Sequence, residues 1–281
     1  MSFLSEDVDF PEVFIFPEVD HSYSIIIHWN QYLSKKIHKF MFKHCEKINP
    51  DEWNKTCLFG RPIPRLTKWY HKSLSYKFAN TKWKSNECET WLKEISEKIK
   101  EDITKRCEHI INSSRLFKNM SQKQKQNLIQ IPSIESILIE YLRNEDDCVA
   151  LHNDSKLEYG KNPTIMYLGI GEKRKLTIKQ IKEEARFKYC KKNGYKYDVI
   201  LDEKKNKYCR NKPKHIDFNC GKGSLTIFAG HCQKWWTHEF KKEYAKFGEY
   251  LKKLKENIKD NGDKYLDRNT HHYHMIFRQY H

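Results

Sequence analysis

Short runs of apolar and β-branched residues, each bounded by glycine, proline or charged residues, dominate the chain from about Ile131 onward. The runs are SIESILIEYL, PTIMYLGIG, RKLTIK and GSLTIFAG. Val, Ile, Thr and aromatic residues favour the pleated strand, and turn residues at both ends limit each run to strand length. The pattern therefore predicts a β-rich second half.

The first half carries helical patterns instead. Residues 21–48, HSYSIIIHWNQYLSKKIHKFMFKHCEKI, mix apolar and basic positions at roughly helical spacing, so we predict a helix there. Residues 86–114 are typical of an amphipathic helix. The apolar face of that helix consists of Trp91, Leu92, Ile95, Ile99 and Ile103. Between the two, CLFGRPIPRLTKWYHKSLSYKF (residues 57–78) places glycine and prolines beside aromatics, which predicts loops and short strands.

Two lysine-rich segments interrupt the β-rich half. The segment from Lys179 to Pro213 predicts a helix and a hairpin that protrude from the core, and Phe240–Lys259 predicts a basic helix with an apolar stripe. We therefore expect three parts. They are an N-terminal helical extension (1–55), a lid with a flanking helix (56–130) and a core (131–281) with inserts near 179–213 and 240–262.

Composition narrows the class of protein. The 281 residues are 38% hydrophobic and carry a net charge of +16, from 53 Lys and Arg against 37 Asp and Glu. The hydrophobic share supports a folded chain. The positive net charge favours polyanionic partners, DNA or RNA above all, although an AT-rich genome also enriches lysine. Nine irregularly spaced cysteines without a CxxC pair argue against a disulfide framework.

Targeting signals are also missing from the pattern. The acidic start MSFLSEDVDFPEVF does not resemble a signal peptide, and no window approaches 18 uninterrupted apolar residues. We therefore expect an intracellular protein, nuclear or cytoplasmic, with no membrane span. Its oligomeric state is open, with a monomer favoured.

One triplet suggests metal chemistry. The segment YLRNEDDCVALHND ends in His152-Asn153-Asp154, and residues two apart on a strand point to the same face. His-x-Asp alone is weak evidence, because an isolated histidine is more often a packed or surface residue than a ligand.

Four blocks in order strengthen the signal. They are RPIPRLTKWYHKSLSYKF, YLRNEDDCVALHND with NPTIMYLGIGEKRKL, GSLTIFAGHCQKWWTHEF and HYHMIFRQY. In this order the chain resembles the AlkB family of Fe(II)- and 2-oxoglutarate-dependent dioxygenases, over roughly residues 57–281. The resemblance implies an α+β, β-rich fold, namely a double-stranded β-helix (jelly roll) with flanking N-terminal helices and a nucleotide-recognition lid.

The resemblance also implies the chemistry. His152, Asp154 and His238 would hold iron as a facial set of two histidines and one carboxylate, which leaves positions for 2-oxoglutarate and O2. Alkylated bases in DNA or RNA would be oxidatively demethylated, with release of formaldehyde, succinate and CO2. Arg174 lies at the position of the family's arginine in the second block, and Arg278, on the last strand, would serve catalysis and the co-substrate.

The co-substrate positions depart from the family's pattern. Ungapped alignment places Glu140 and Leu142 where the family has Asn and Tyr, and His272 where it has the first of two arginines on the last strand. A histidine cannot reproduce the bidentate guanidinium fork. A carboxylate at position 140 would have to turn away or become protonated. Tyr141 could replace the lost contact if the strand slipped by one residue, Arg143 in the same way, and His272 as imidazolium or Lys175 could pair with the co-substrate tail.

For the substrate, the family flips a base out and stacks it on an aromatic ring. Trp69, Tyr70 and Tyr76 are the candidates for stacking, and Arg65 (or Lys68) for phosphate contact. Simple packing of Trp69 and Tyr70 against the core is an equal alternative.

Three functions remain open at this point. The first is a nucleic-acid demethylase, and the second is a catalytically weak or inactive relative that binds nucleic acid or a protein. The third is a dioxygenase of protein or another small substrate. The altered residues Glu140, Leu142 and His272 favour the second function, a weak or inactive binding protein.

Overall fold

The structure is a computed structural model, and it describes most of the chain. The described residues are 10–58, 60–78, 81–129, 131, 134, 136–154, 160, 162–193, 201–202, 207–208, 214–242 and 271–278.

Two antiparallel sheets face each other and form a double-stranded β-helix, as the resemblance implied. The major sheet has seven strands in the order β1-β2-β15-β10-β17-β8-β5, and the minor sheet has four in the order β14-β11-β16-β9. The strands of the major sheet are β1 (Glu12–Pro17), β2 (Tyr23–Trp29), β5 (Leu66–His71), β8 (Ser136–Leu142), β10 (Ile165–Gly171), β15 (Leu225–Gly230) and β17 (His272–Arg278). Those of the minor sheet are β9 (Val149–His152), β11 (Arg174–Gln180), β14 (His215–Cys220) and β16 (Trp236–Phe240).

Small hairpins and helices surround the sheets. The hairpins pair β3 (Cys57–Leu58) with β4 (Arg61–Pro62), β6 (Tyr76–Phe78) with β7 (Thr81–Trp83), and β12 (Leu201–Asp202) with β13 (Lys207–Tyr208). The α-helices are α1 (Lys35–Glu46), α2 (Thr90–Ser113), α3 (Gln122–Gln126), α4 (Glu183–Asn193) and α5 (Cys232–Trp235), and 3-10 turns span Pro50–Glu52 and Arg115–Phe117.

The predicted helix over residues 21–48 is wrong in its first part. Residues Tyr23–Trp29 form β2, and the helix begins only at Lys35, where the Ser34 hydroxyl caps it by accepting from the amide of Ile37. β2 lies between β1 and β15 and is buried on both faces. A strand covered on both sides has no period-two alternation, so its apolar run fits a helical pattern as well as a strand.

Other predicted elements are confirmed. The amphipathic helix is α2, and its buried side includes Leu92, Ile95, Ile99 and Ile103. The first insert contains the expected helix, α4, and the expected hairpin, β12–β13. The predicted basic helix Phe240–Lys259 falls outside the described residues beyond position 242. Since strands from all three predicted parts share the major sheet, the division of the chain at residues 55 and 130 stays a prediction, as does the lid.

Each face of the major sheet covers a separate hydrophobic core. The outer face packs against α1 and α2, with Met41 and Ile99 among the buried side chains. The inner face packs against the minor sheet, with Trp69, Leu176 and Phe240 among the residues between the sheets. The inner face therefore sets which side chains can reach a site inside the β-helix. No helix in the described part of the chain is long and apolar enough to cross a membrane.

His28, on the inner face of β2, makes stability depend on pH. Its Nδ1 is hydrogen-bonded to Thr226 Oγ1 at 2.8 Å, and burial lowers the pKa of His28 to about 4. Unfolding restores the ordinary pKa of roughly 6.5, so the neutral side chain contributes fully above that pH and the contribution is lost as pH falls towards 4. Going from pH 7 to pH 5 should cost about 2 kcal/mol through this residue alone.

Urea unfolding at the two pH values tests this. The variant His28→Gln should lose about 2 kcal/mol less between pH 7 and pH 5 than the unaltered protein does. The exposed His109→Gln is the matched control and should leave the pH dependence unchanged. Equal pH dependence in all three proteins would contradict the assignment.

Candidate metal centre

The pairing of β9 with β16 brings two histidines together from distant parts of the chain. His152 ends β9 and lies directly opposite His238 on β16, and the register shifts between His238 and Phe240. A shift of this kind re-aims side chains locally. Asp154 follows two residues after His152, and the three side chains meet between the two sheets.

The three candidate ligands form one compact cluster. A ligand atom of His152, Asp154 and His238 lies within 4.8 Å of each of the others. His238 Nε2 is 3.7 Å from Asp154 Oδ2, and the two imidazole centroids are 4.3 Å apart. Asp154 and His238 are buried, and His152 is half-buried. Two imidazoles and a carboxylate at this separation are the donor set that iron(II) takes in a facial arrangement.

Both histidines are prepared to ligate. His152 Nδ1 is 2.8 Å from the carbonyl oxygen of Ala150, to which it donates, so Nε2 carries the free lone pair. Burial, together with the neighbouring His152, lowers the pKa of His238 to about 3. His238 is therefore neutral near pH 7, as a ligand must be.

Two residues bind Asp154 directly, and a third bond supports the turn that carries it. Arg278 Nη1, from the last strand, donates to Asp154 Oδ1 at 2.6 Å. Gln233 Oε1 accepts from the Asp154 amide at 2.9 Å, and the Asn153 side chain donates to the Gln233 carbonyl at 3.1 Å. These bonds fix the turn after β9, so the carboxylate is positioned before any ion arrives.

Tyr167, on β10, lies beneath the cluster. Its hydroxyl is 2.7 Å from His238 Nε2 and 3.3 Å from Asp154 Oδ2. Burial, with the Asp154 charge nearby, raises the pKa of Tyr167 well above its ordinary value. The neutral hydroxyl thus contacts His238 Nε2 and Asp154 Oδ2, the atoms that would ligate an incoming ion. It would have to give up the His238 contact on metal binding.

A second buried charge cluster lies beside the first. Arg65 Nε donates to Glu140 Oε1 at 2.6 Å, and His274 Nε2 contacts Glu140 Oε2. Burial alone would raise the pKa of Glu140, but the charges of Arg65 and His274 hold it well below its ordinary value. Glu140 is therefore ionised and paired, and the protonated form considered from the sequence is not the one present.

His272 lies on the same inner face, opposite Leu142. Its Nδ1 donates to the Glu172 carbonyl at 2.6 Å, and burial lowers its pKa well below the ordinary value. The expected imidazolium is therefore absent at neutral pH. Among the described residues, His272 Nε2 and His274 Nδ1 are buried without a hydrogen-bond partner.

Arg174 has a positional role. Its guanidinium, buried at the start of β11, donates to the backbone carbonyls of Asn144 at 3.0 Å and of Asp147. This clamp fixes the loop that leads into β9.

Three predicted site residues do not take the roles predicted for them: two face outward, and the third is already paired. Tyr141 faces the outer core, where it stacks on Tyr273 at 4.4 Å, because β8 is not slipped and Glu140 takes the inner face. Tyr70 also faces outward and donates to Glu89. Arg65 is bound to Glu140 rather than exposed for phosphate contact.

The other proposed rescues of the co-substrate contact also lie outside the inner face. Arg143 pairs with Asp147, and the exposed Lys175 pairs with Asp217.

Tyr76 and Trp69 lie near the cluster. Arg278 lies over the Tyr76 ring, 5.7 Å from its centroid, while it binds Asp154. The Tyr76 and Trp69 rings are 4.9 Å apart, and Trp69 is fully buried. Tyr76, half-buried, is thus the predicted aromatic that could meet a substrate, and Trp69 supports it.

Sequence reasoning missed Tyr167 and His274. His274 could have been found, because it lies two residues after His272 and four before Arg278, and such even spacings on a strand place side chains on the same face. Tyr167 lies in the apolar run IMYLGIG, where a buried strand has no alternation to mark its inner face.

Comparisons with known proteins agree with this geometry. Residues 26–267 match the family model of the 2OG-Fe(II) oxygenase superfamily. The solved structure of OsALKBH1 matches with a TM-score of 0.53 and 11% sequence identity, over 90% of this chain and 97% of that chain. At this identity the likeness shows a shared fold. No curated protein sequence matches the chain significantly.

Removing one candidate ligand should abolish tight metal binding. The variant His238→Gln should weaken Co(II) binding more than the roughly 10- to 100-fold that is lost with an outer partner of a ligand. Titration of the visible Co(II) bands, under conditions where circular dichroism shows a folded protein, measures this. His231→Gln, outside the cluster, is the control, and similar Co(II) affinity in both variants would argue against the site.

Proposed function

The chain belongs to the 2OG-Fe(II) oxygenase superfamily, and from that premise we propose that it oxidatively removes alkyl groups from bases in DNA or RNA. The superfamily uses Fe(II), 2-oxoglutarate and O2. For an N-methyl base, O2 and 2-oxoglutarate are consumed, and the demethylated base, formaldehyde, succinate and CO2 are formed. The observation that carries the proposal is Tyr76, whose ring lies against Arg278 beside the buried metal cluster.

Iron fits the residues present. His152, Asp154 and His238 would hold it, and the bound ion would activate O2 for oxidation of the alkyl carbon. Arg278 holds the Asp154 carboxylate, and Gln233 holds the Asp154 backbone amide. The bond from His152 to the Ala150 carbonyl fixes the tautomer of His152. These residues thus hold the ligand atoms in place in a poorly solvated interior.

2-Oxoglutarate also fits, with a changed set of contacts. The inner face carries the guanidinium of Arg65 and two histidine nitrogens without partners, His272 Nε2 and His274 Nδ1. The AlkB family has an arginine on the last strand where this chain has His272. We propose that Arg65 takes over the role of that arginine and pairs with the distal carboxylate of the co-substrate. Arg65 immediately precedes β5, so the positive charge would reach the pocket from the start of β5 instead of from the last strand.

Glu140 would compete with the co-substrate. Its ionised carboxylate already pairs with Arg65 and contacts His274, so the incoming carboxylate has to share those donors. A like charge in a poorly solvated pocket raises the cost of binding. We therefore expect weak binding of 2-oxoglutarate.

Base recognition would fall to Tyr76. An aromatic ring can stack any base, and such stacking is worth about 1–3 kcal/mol. The net charge of +16 supports a polyanionic substrate.

The same Glu140 supports a second candidate function. If Glu140 keeps 2-oxoglutarate out, the chain would be a binding module for nucleic acid or a protein without turnover. The buried Arg65–Glu140 pair is the observation that favours it.

Formaldehyde release from oligonucleotides that carry N-methylated adenine or cytosine tests the demethylase. Tyr76→Ala should lower turnover of the oligonucleotide by about tenfold, because a stacking contact is lost, while succinate formation without substrate continues. Tyr76→Phe keeps the ring and serves as the control. No formaldehyde from any methylated DNA or RNA, with iron and 2-oxoglutarate bound, would exclude this activity.

Neutralising residue 140 should strengthen co-substrate binding. We expect Glu140→Gln to bind 2-oxoglutarate about tenfold more tightly, because Arg65 no longer pairs with a resident carboxylate. The same variant should be less stable without 2-oxoglutarate, since the half-buried guanidinium of Arg65 loses its charged partner. Calorimetric titration of the Mn(II)-loaded protein and thermal unfolding measure the two effects.

Glu52→Gln is the matched control for that variant. Glu52 pairs with Lys68 outside the inner face, so its neutralisation removes the same charge without reaching the pocket. Unchanged or weaker 2-oxoglutarate binding by Glu140→Gln would contradict the role assigned to Arg65.

A further inference from the structure

The exposed face of α1 is strongly basic. It carries five exposed lysines, namely Lys35, Lys36, Lys39, Lys43 and, at the C-cap, Lys47. The helix contains one acidic residue, Glu46, and none in its first turn. Within the described part of the chain, no ion pair engages these lysines.

The opposite side of α1 is fixed against the major sheet. Met41 and Cys45 are buried in the outer core, and the Gly171 amide donates to His38 Nε2 at 3.0 Å. Because the helix is anchored in this way, the lysine face points to solvent. The lysine face lies on the outer side of the major sheet, whereas the candidate metal ligands lie on the inner side.

Four of the lysines form one row. Lys35, Lys39, Lys43 and Lys47 are spaced four residues apart, which places them about 6 Å apart along the helix axis. We call this set the lysine row. Like charges at this spacing destabilise a helix, and lysine in the first turn opposes the helix dipole. A bound polyanion would relieve both effects.

Aromatic rings border the lysine row. Phe40 is 41% exposed, and its ring centroid is 4.4 Å from that of His44. His44 in turn stacks on Trp91 of α2, with centroids 4.8 Å apart and planes at 26°. These three residues are the aromatic edge. The Glu89 carboxylate accepts from Trp91 Nε1, so the edge suits a base rather than a phosphate.

We propose that the lysine row and the aromatic edge together bind single-stranded nucleic acid. Phosphates would follow the lysines, and unpaired bases would stack on Phe40 and its neighbours. Lysines alone would accept any polyanion, but an exposed ring beside them selects bases whose faces are free. The surface needs neither iron nor 2-oxoglutarate, so the inference does not depend on the proposed function.

Fluorescence anisotropy with a labelled oligothymidylate of about 15 nucleotides tests the surface at several salt concentrations. Lys39→Glu combined with Lys43→Glu should weaken binding by tenfold or more and reduce the salt slope by about 1.4, or 0.7 for each lost phosphate contact. Phe40→Ala should weaken binding by about tenfold without changing the slope, because stacking releases no counterions. In the double variant the like-charge spacings along the row fall from three to one, because the new acidic groups lie four residues from Lys35 and Lys47, so the helix should remain folded.

The matched control makes the same change of charge elsewhere. Lys105→Glu with Lys123→Glu alters two exposed lysines on α2 and α3 and should change the affinity little. Equal losses in the two double variants would mean that net charge alone drives binding, and would overturn the proposal. Tighter binding of a duplex of the same length would overturn the single-strand assignment.

Discussion

Pairing of buried charge is the constraint on which the rest of the structure depends. Two carboxylates, Asp154 and Glu140, lie between the sheets, where an unpaired charge would be prohibitively costly. Arg278 neutralises the first across a separation of 124 residues, and Arg65 neutralises the second, which His274 also contacts. These partners come from β17 and from the residue before β5. The set of three candidate metal ligands therefore forms only when the seven-stranded sheet is assembled in register.

The sequence was sufficient for features that repeat or that carry a motif. The stripe of α2 and the strands of the second half follow from periodicity, and the cluster of His152, Asp154 and His238 was anticipated from a resemblance in four blocks. The sequence was not sufficient where pairing between distant residues determines the partner or the orientation of a side chain. Nothing local shows that Arg65 meets Glu140, 75 residues away, or that Tyr141 faces outward. β2 was missed because burial on both faces removes the alternation that marks a strand.

Positive charge has two separate roles in this molecule. Inside the β-helix, Arg174 and Arg278 are buried and Arg65 is half-buried. All three are bonded to carboxylates or backbone carbonyls, so they contribute to position and not to the external field. The lysine row on α1 lies outside and faces solvent. The net charge of +16 therefore says little about the metal centre, and the surface charge says little about catalysis, until each cation is located.

We infer that the His-Asp-His cluster and its altered surroundings bind iron together with 2-oxoglutarate. Anaerobic titration of the Fe(II)-loaded protein with 2-oxoglutarate tests this most directly, because the joint complex has a charge-transfer band in the visible. We expect a saturable band that is lost in Asp154→Ala. Bound iron with no band at any 2-oxoglutarate concentration would contradict it, and would leave a fold that keeps the metal ligands without the co-substrate.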